Sequence, residues 1–183
     1  NINFLNPTKP SSLKYVQIRY GGQGTNYHPS GYYPTYTGVI NIQNSSPEIS
    51  DLIFASSTAA AIYIKGDSYP KVVRSVISDI VAPPGNASHL GGVGIRLIDA
   101  SSTAEIIGNL FENNTVAIAS RSASTTLLTV RDNTFRANGK NSEFYSVGEL
   151  NLENSGNRDL DSKGGFHIAF SVARGKSVLL KAA

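Results

Sequence analysis

The chain has no cysteine, methionine or tryptophan. Without cysteine there is neither a disulfide framework nor a thiolate metal site. Without methionine, even at position 1, the chain reads as a mature or excised piece of something longer. No run of 18 apolar residues occurs, so no helix long enough to insert in a membrane is expected. No secretory leader is visible, as in any processed chain. Charged residues make up only 16% of the sequence, against Ser, Asn, Thr, Gly and Tyr in quantity, a balance that points outside the cell or to its surface. The 16 basic and 13 acidic groups leave a net charge of +3. They are unevenly spread: Lys9, Lys14 and Arg19 face no acid before Glu48, whereas Glu143, Glu149, Glu153, Asp159 and Asp161 surround Arg158. Helical periodicity is missing as well. Apolar residues alternate over short runs that end in Asn, Gly, Ser or Asp, the pattern of short strands between tight turns.

What is present is a repeat. Segments starting at Leu13, Ile49, Val73, Ile106 and Val130 fall into register, with a weaker copy from Leu152, on a period of about 22 to 24 residues interrupted by two long insertions. A second series interleaves with it at Ile40, Ile62, Ile95 and Ile118. The coil around Val130 shows the plan. Leu127 to Val130 form a strand, Asp132 and Asn133 turn it, Thr134 and Phe135 start a second, and Ala137 to Gly139 make a corner. The chain then runs to Phe144 and Tyr145 for a third. Three short strands per turn, stacked on their equivalents, make a parallel β-helix.

The expected interior columns are Ile49 over Val73, Ile106 and Val130, and Ile40 over Ile62, Ile95 and Ile118. Phe54, Phe111 and Phe135 form the third wall, with Ile18 and Ser78 in equivalent places. β-Branched residues suit such a pleated, buried surface. Asn109 and Asn133 fall at a tight bend that asparagine tolerates in left-handed backbone. They could stack as a hydrogen-bonded ladder, as could Asn114 and Asn138 one corner on.

Residues 104–118, AEIIGNLFENNTVAI, resemble the right-handed parallel β-helix repeats of pectate-lyase-like proteins. Residues 13–22, LKYVQIRYGG, look like the repeat opening of large bacterial surface proteins. The resemblance extends over roughly residues 10 to 160. It implies an all-β, right-handed solenoid of about six or seven coils; residues 163–183 fit the repeat poorly and are read as a last coil or cap of the same single domain, residues 1–183. It does not choose among the functions this fold hosts, which include lyases, hydrolases, epimerases, tailspikes, adhesins and structural stalks.

Both insertions, residues 21–37 and 82–92, fall at one corner, between the strand of Phe54 and Phe111 and the strand of Ile40, Ile62, Ile95 and Ile118. With coils about 4.8 Å apart, loops two coils apart have roots about 10 Å from each other and project together. Alternation turns Asn41, Gln43, Tyr63, Lys65, Arg96 and Arg121 outward beside them. The first loop adds Tyr27, Tyr32, Tyr33 and Tyr36. Tyrosine covers the apolar face of a sugar and offers a hydroxyl; Lys65, Arg96 and Arg121 favour carboxylated or sulfated groups. The expected partner is therefore a polysaccharide or cell-surface glycan, held by an adhesin-like, non-catalytic module, extracellular or at the cell surface. The opposing possibility is that the tyrosines pack down on the solenoid.

Two alternatives stand beside this reading: a polysaccharide lyase using the same groove, and a pure spacer within a larger surface protein. Glycoside cleavage needs converging carboxylates, yet Asp51, Asp67, Asp99 and Asp132 are scattered. A calcium-dependent lyase needs clustered oxygen ligands, and none flanks the bases Lys65, Arg96 and Arg121. The reading accordingly leans against an enzyme and assigns no catalytic residue, metal or cofactor. His28 and His89 lack ligand spacing. Asn44, Asn86 and Asn113 begin N-x-S/T triplets that this composition produces by chance. Gly91 to Gly94 lead into a strand, not a helix, so they are no phosphate cradle. Basic residues do not interleave with aromatics along one groove, which argues against nucleic acid.

Overall fold

The computed structural model describes residues 1–6, 10–21, 38–82, 92–98, 103–122, 126–146, 150–170 and 178–182. Every element in these segments is a strand. The first coil holds β1 (Ile2–Leu5), β2 (Ser12–Lys14) and β3 (Gln17–Arg19); the second, β4 (Gly38–Gln43), β5 (Glu48–Ser50) and β6 (Ile53–Ser57). The third holds β7 (Ala60–Lys65), β8 (Lys71–Val73) and β9 (Val76–Ile80); the fourth, β10 (Val93–Ile98), β11 (Thr103–Ile107) and β12 (Leu110–Glu112). The fifth holds β13 (Val116–Ser122), β14 (Thr126–Arg131) and β15 (Thr134–Arg136); the sixth, β16 (Lys140–Ser146), β17 (Leu150–Ser155) and β18 (Arg158–Leu160). β19 (Phe166–Phe170) and β20 (Val178–Ala182) begin a seventh. Each strand pairs in parallel with its equivalents, giving sheet A of seven strands from β1 to β19, sheet B of seven from β2 to β20, and sheet C of six from β3 to β18.

The interior is a set of apolar columns. Ile40, Ile62, Ile95 and Ile118 stack in register as expected, and all are fully buried. In sheet B the column runs Leu13, Ile49, Val72, Ile106, Val130. The expected Val73 is displaced by its neighbour, and in sheet C Ile77, not Ser78, continues the line of Ile18, Phe54, Phe111 and Phe135. One slip explains both, because a Val-Val doublet offers two apolar residues for one inward position. The last copy slips by two: Leu152 pairs with Leu128, and Asn154 with Val130. Phe111 and Phe135 stack with ring centroids 5.3 Å apart and planes within 9°.

Two corners of the coil repeat closely. Where sheet B gives way to sheet C, Tyr15, Asp51, Arg74, Gly108, Asp132 and Gly156 all have φ between 46° and 66°. Where sheet C gives way to sheet A, Tyr20, Ser56, Asp79, Asn113, Ala137 and Asp161 do the same, with φ from 52° to 62°. Left-handed backbone at the first corner thus falls on Gly108 and Asp132, one residue before Asn109 and Asn133. The asparagines serve instead as the expected ladders. Asn109 Nδ2 donates to Asn133 Oδ1 at 3.0 Å and Asn114 Nδ2 to Asn138 Oδ1 at 3.1 Å. The first ladder continues to Asn157, to which Asn133 donates at 3.0 Å, and begins with Ser75, whose N–H donates to Asn109 Oδ1. Each amide also caps a carbonyl of the coil before it: Val72 for Asn109, Ile106 for Asn133, Val130 for Asn157. Buried corner amides are satisfied in this way without water.

Candidate functional site

The strands flanking the two long connections locate the corner chosen from sequence. β3 leads to β4 and β9 leads to β10, so both connections pass from sheet C to sheet A, with their ends two coils apart. Tyr27, Tyr32, Tyr33 and Tyr36 lie outside the described residues, as do His28 and His89.

On sheet A the remaining candidates fall into two outward columns. Asn41, Tyr63 and Arg96 are register partners in one; Gln43, Lys65, Ile98 and Arg121 follow one another in the second. Gln43 and Lys65 are exposed neighbours. Arg121 is placed by its backbone, and its side chain lies outside the described residues. Asn41 is half-buried and committed to the fold: its Oδ1 accepts from Gly38 N at 2.8 Å and its Nδ2 donates to Asn3 Oδ1 at 2.9 Å.

Tyr63 and Arg96 are each only 8% exposed. They border a small outward cluster of Ala60, Val93, Val116 and Ala119, all buried and separate from the central core. The middle of this outer face is therefore a buried surface rather than an open groove. Two features of the sequence build it. Sheet A strands start with two successive inward residues, such as Val39 with Ile40 and Ala117 with Ile118, which turns the residue before them outward. Small residues then let the face close up; a Cβ on Gly38 would lie 2.7 Å from that of Tyr63.

Charge is organised elsewhere. The outer face of sheet B carries Glu48, Lys71 and Glu105 in one register column, with ion pairs from Lys71 to Glu105 at 3.0 Å and from Lys14 to Glu48 at 2.9 Å. All three column residues immediately precede an inward apolar one, a signal the sequence held. At the sheet B to C corner Arg74 forms a fork on Asp51, Nε to Oδ1 at 3.0 Å and Nη2 to Oδ2 at 2.8 Å. That hydrogen-bonded guanidinium holds the Asp51 carboxyl below its ordinary value, and Asp51 raises Arg74 in return. Arg136 is raised likewise by Glu112, 2.7 Å away. Among the described residues no group of three or more His, Asp or Glu side chains converges to hold a metal ion.

A search of curated proteins and a search of solved structures each found no match. The family described as "Right handed beta helix region" matches residues 17–173, nearly the whole run of stacked coils. With three parallel sheets wound from short strands, the chain belongs to the right-handed β-helix family.

Proposed function

We propose that the chain is a non-catalytic β-helix module, adhesin-like and extracellular or at the cell surface, whose rod presents two loops at one corner to a polysaccharide. The observation that carries this reading is the common exit of both long connections from sheet C into sheet A, two coils apart. Loops rooted on a rigid scaffold are the usual carriers of binding, and the first holds Tyr27, Tyr32, Tyr33 and Tyr36. Gln43 and Lys65, exposed and adjacent on sheet A, supply hydrogen bonds and positive charge at the side. Tyr63 and Arg96 are buried, so they act in this reading as the supporting floor and not as direct contacts.

That same burial favours a second reading, in which the coils are a spacer and the ligand site belongs to other parts of a larger protein. A glycan array with insoluble-polysaccharide pull-downs separates the two. Binding abolished by Tyr32→Ala with Tyr33→Ala supports the loop site; silence across the panel supports the spacer. Each positive is also checked for absorbance of unsaturated uronates, because product formation would overturn the non-catalytic assignment and make the module a lyase.

A further inference from the structure

The left-handed corner positions allow the coils to be compared within one molecule. At the sheet B to C corner these positions hold Asp51, Arg74, Gly108, Asp132 and Gly156; at the sheet C to A corner, Ser56, Asp79, Asn113, Ala137 and Asp161. Most are glycine or short polar residues, the types that tolerate positive φ. The first coil departs from this at both corners. Tyr15 has φ 59° and Tyr20 has φ 55°, and the two residues are 82% and 81% exposed. A bulky aromatic residue in this region is a backbone outlier. Neither residue gains burial in exchange, and strained positions of this kind cluster at functional sites.

What lies between the two rings is equally specific. β3 joins the corners and turns Gln17 and Arg19 outward, both exposed. The Gln17 amide oxygen, oriented by its donors, accepts from Arg19 Nε at 2.6 Å and Nη2 at 2.7 Å, which fixes the guanidinium without neutralising it. In the same outward column Arg136 has Glu112 as its partner. Arg19 has no carboxylate partner among the described residues, and no acidic residue occurs in the sequence before Glu48.

We infer that Tyr15, Arg19 and Tyr20 form a binding platform for a carboxylated polysaccharide lying across the outer face of sheet C at the first coil. The five-residue step from Tyr15 to Tyr20 spans at most roughly 16 Å of strand, enough for several sugar units. The two rings cover apolar sugar faces at either end, and the remaining N–H donors of Arg19 meet a carboxylate between them. The platform shares its ligand class with the proposed function but uses different residues and a different face, so the two stand or fall separately.

Affinity electrophoresis in carboxymethyl cellulose and in hydroxyethyl cellulose tests it, since these polymers share a backbone and differ in the carboxylate. The variants are Tyr15→Asn with Tyr20→Asn, Arg19→Gln, and Tyr32→Ala with Tyr33→Ala. Expected is retardation by the carboxylated polymer, weakened on the order of tenfold or more by the Tyr15/Tyr20 pair of changes and by Arg19→Gln, with little retardation by the neutral polymer. Asparagine relieves the left-handed strain at both corners, so Tm should rise by about 2–4 °C per change, and lost binding will not be lost folding. Retardation unchanged in these variants, or equal in both polymers, overturns the inference. If it is then abolished by the Tyr32/Tyr33 changes, the loop reading stands alone. The reverse pattern supports the platform and leaves the loop reading to the glycan array.

Discussion

Asn133 Oδ1 accepts from both the backbone N–H and the side-chain Nδ2 of Asn109, at 2.9 and 3.0 Å. One oxygen thus satisfies two donors of the coil before it, while Asn133 Nδ2 donates to the carbonyl of Ile106 at 2.8 Å. Asn133 is completely buried, so no water can stand in. Asn133→Ala removes the shared acceptor of the Asn109 backbone N–H and Nδ2 and one donor to the Ile106 carbonyl, and urea denaturation should show a loss of about 3 kcal/mol. Asn133→Asp should cost at least as much, because a carboxylate cannot donate to Ile106.

The stacked rings of Phe111 and Phe135 supply an apolar counterpart. Both are fully buried in the central column of sheet C. Phe135→Ala should destabilise by about 3–5 kcal/mol, and Phe135→Leu by clearly less, since it leaves a smaller void. Thermal melts of the two variants check the order.

Ser142 lies between Ile118 and Phe166 in a column that otherwise holds isoleucine up to that point, and its buried hydroxyl has no hydrogen-bond partner among the described residues. Ser142→Ala should therefore raise stability, by about 1 kcal/mol in denaturant titration. An unchanged or lowered midpoint would show that the hydroxyl is satisfied.

Lys71 lies in register between Glu48 and Glu105. Lys71→Glu would align three like charges on neighbouring strands, costing on the order of 1 kcal/mol. Because these side chains are about half exposed, much of the loss should disappear at 1 M salt, where the screening length is about 3 Å. A loss independent of salt would point to packing instead.

Asp51 should titrate below its ordinary value of 3.8, and an NMR titration of its carboxyl carbon measures this directly. The folded value is the depressed one. The Arg74 fork therefore contributes its full stability above the unfolded value and loses it as pH falls through the folded value. Arg74→Gln should return the Asp51 midpoint toward 3.8 and remove that acid-side dependence.

Much of this architecture is legible in the sequence, for reasons particular residues show. Ile40, Ile62, Ile95 and Ile118 are the one isoleucine position that four sheet A strands share, and the structure keeps that register. Val72 and Val73 admit two, and the choice is settled by Ser75, whose N–H must reach Asn109 Oδ1. The orientation of Tyr63 and Arg96 also followed from alternation, but their burial did not. Exposure depends on what packs above a face, and a period of two carries no information about that. The sheet B charge column does not show when charge is summed along the chain. Sorted by place in the coil, the residues before Ile49, Val72 and Ile106 read Glu, Lys, Glu.

Asn109 and Asn133 are 24 residues apart, and each makes the same bonds one level along. The coil between them is in this sense a removable part. Excising residues 110–133 would join Asn109 to Thr134 and bring Phe135 beneath Ile77, the place Phe111 now holds. The rod would shorten by one strand spacing, about 4.8 Å; Asn157 would take the place of Asn133 in the ladder, while Ile95 would meet Ser142 in place of Ile118 and Ile106 would meet Asn154 in place of Val130. Length in this molecule is a quantity set in whole coils, with the corner ladder indifferent to their number and the apolar columns left to absorb the change.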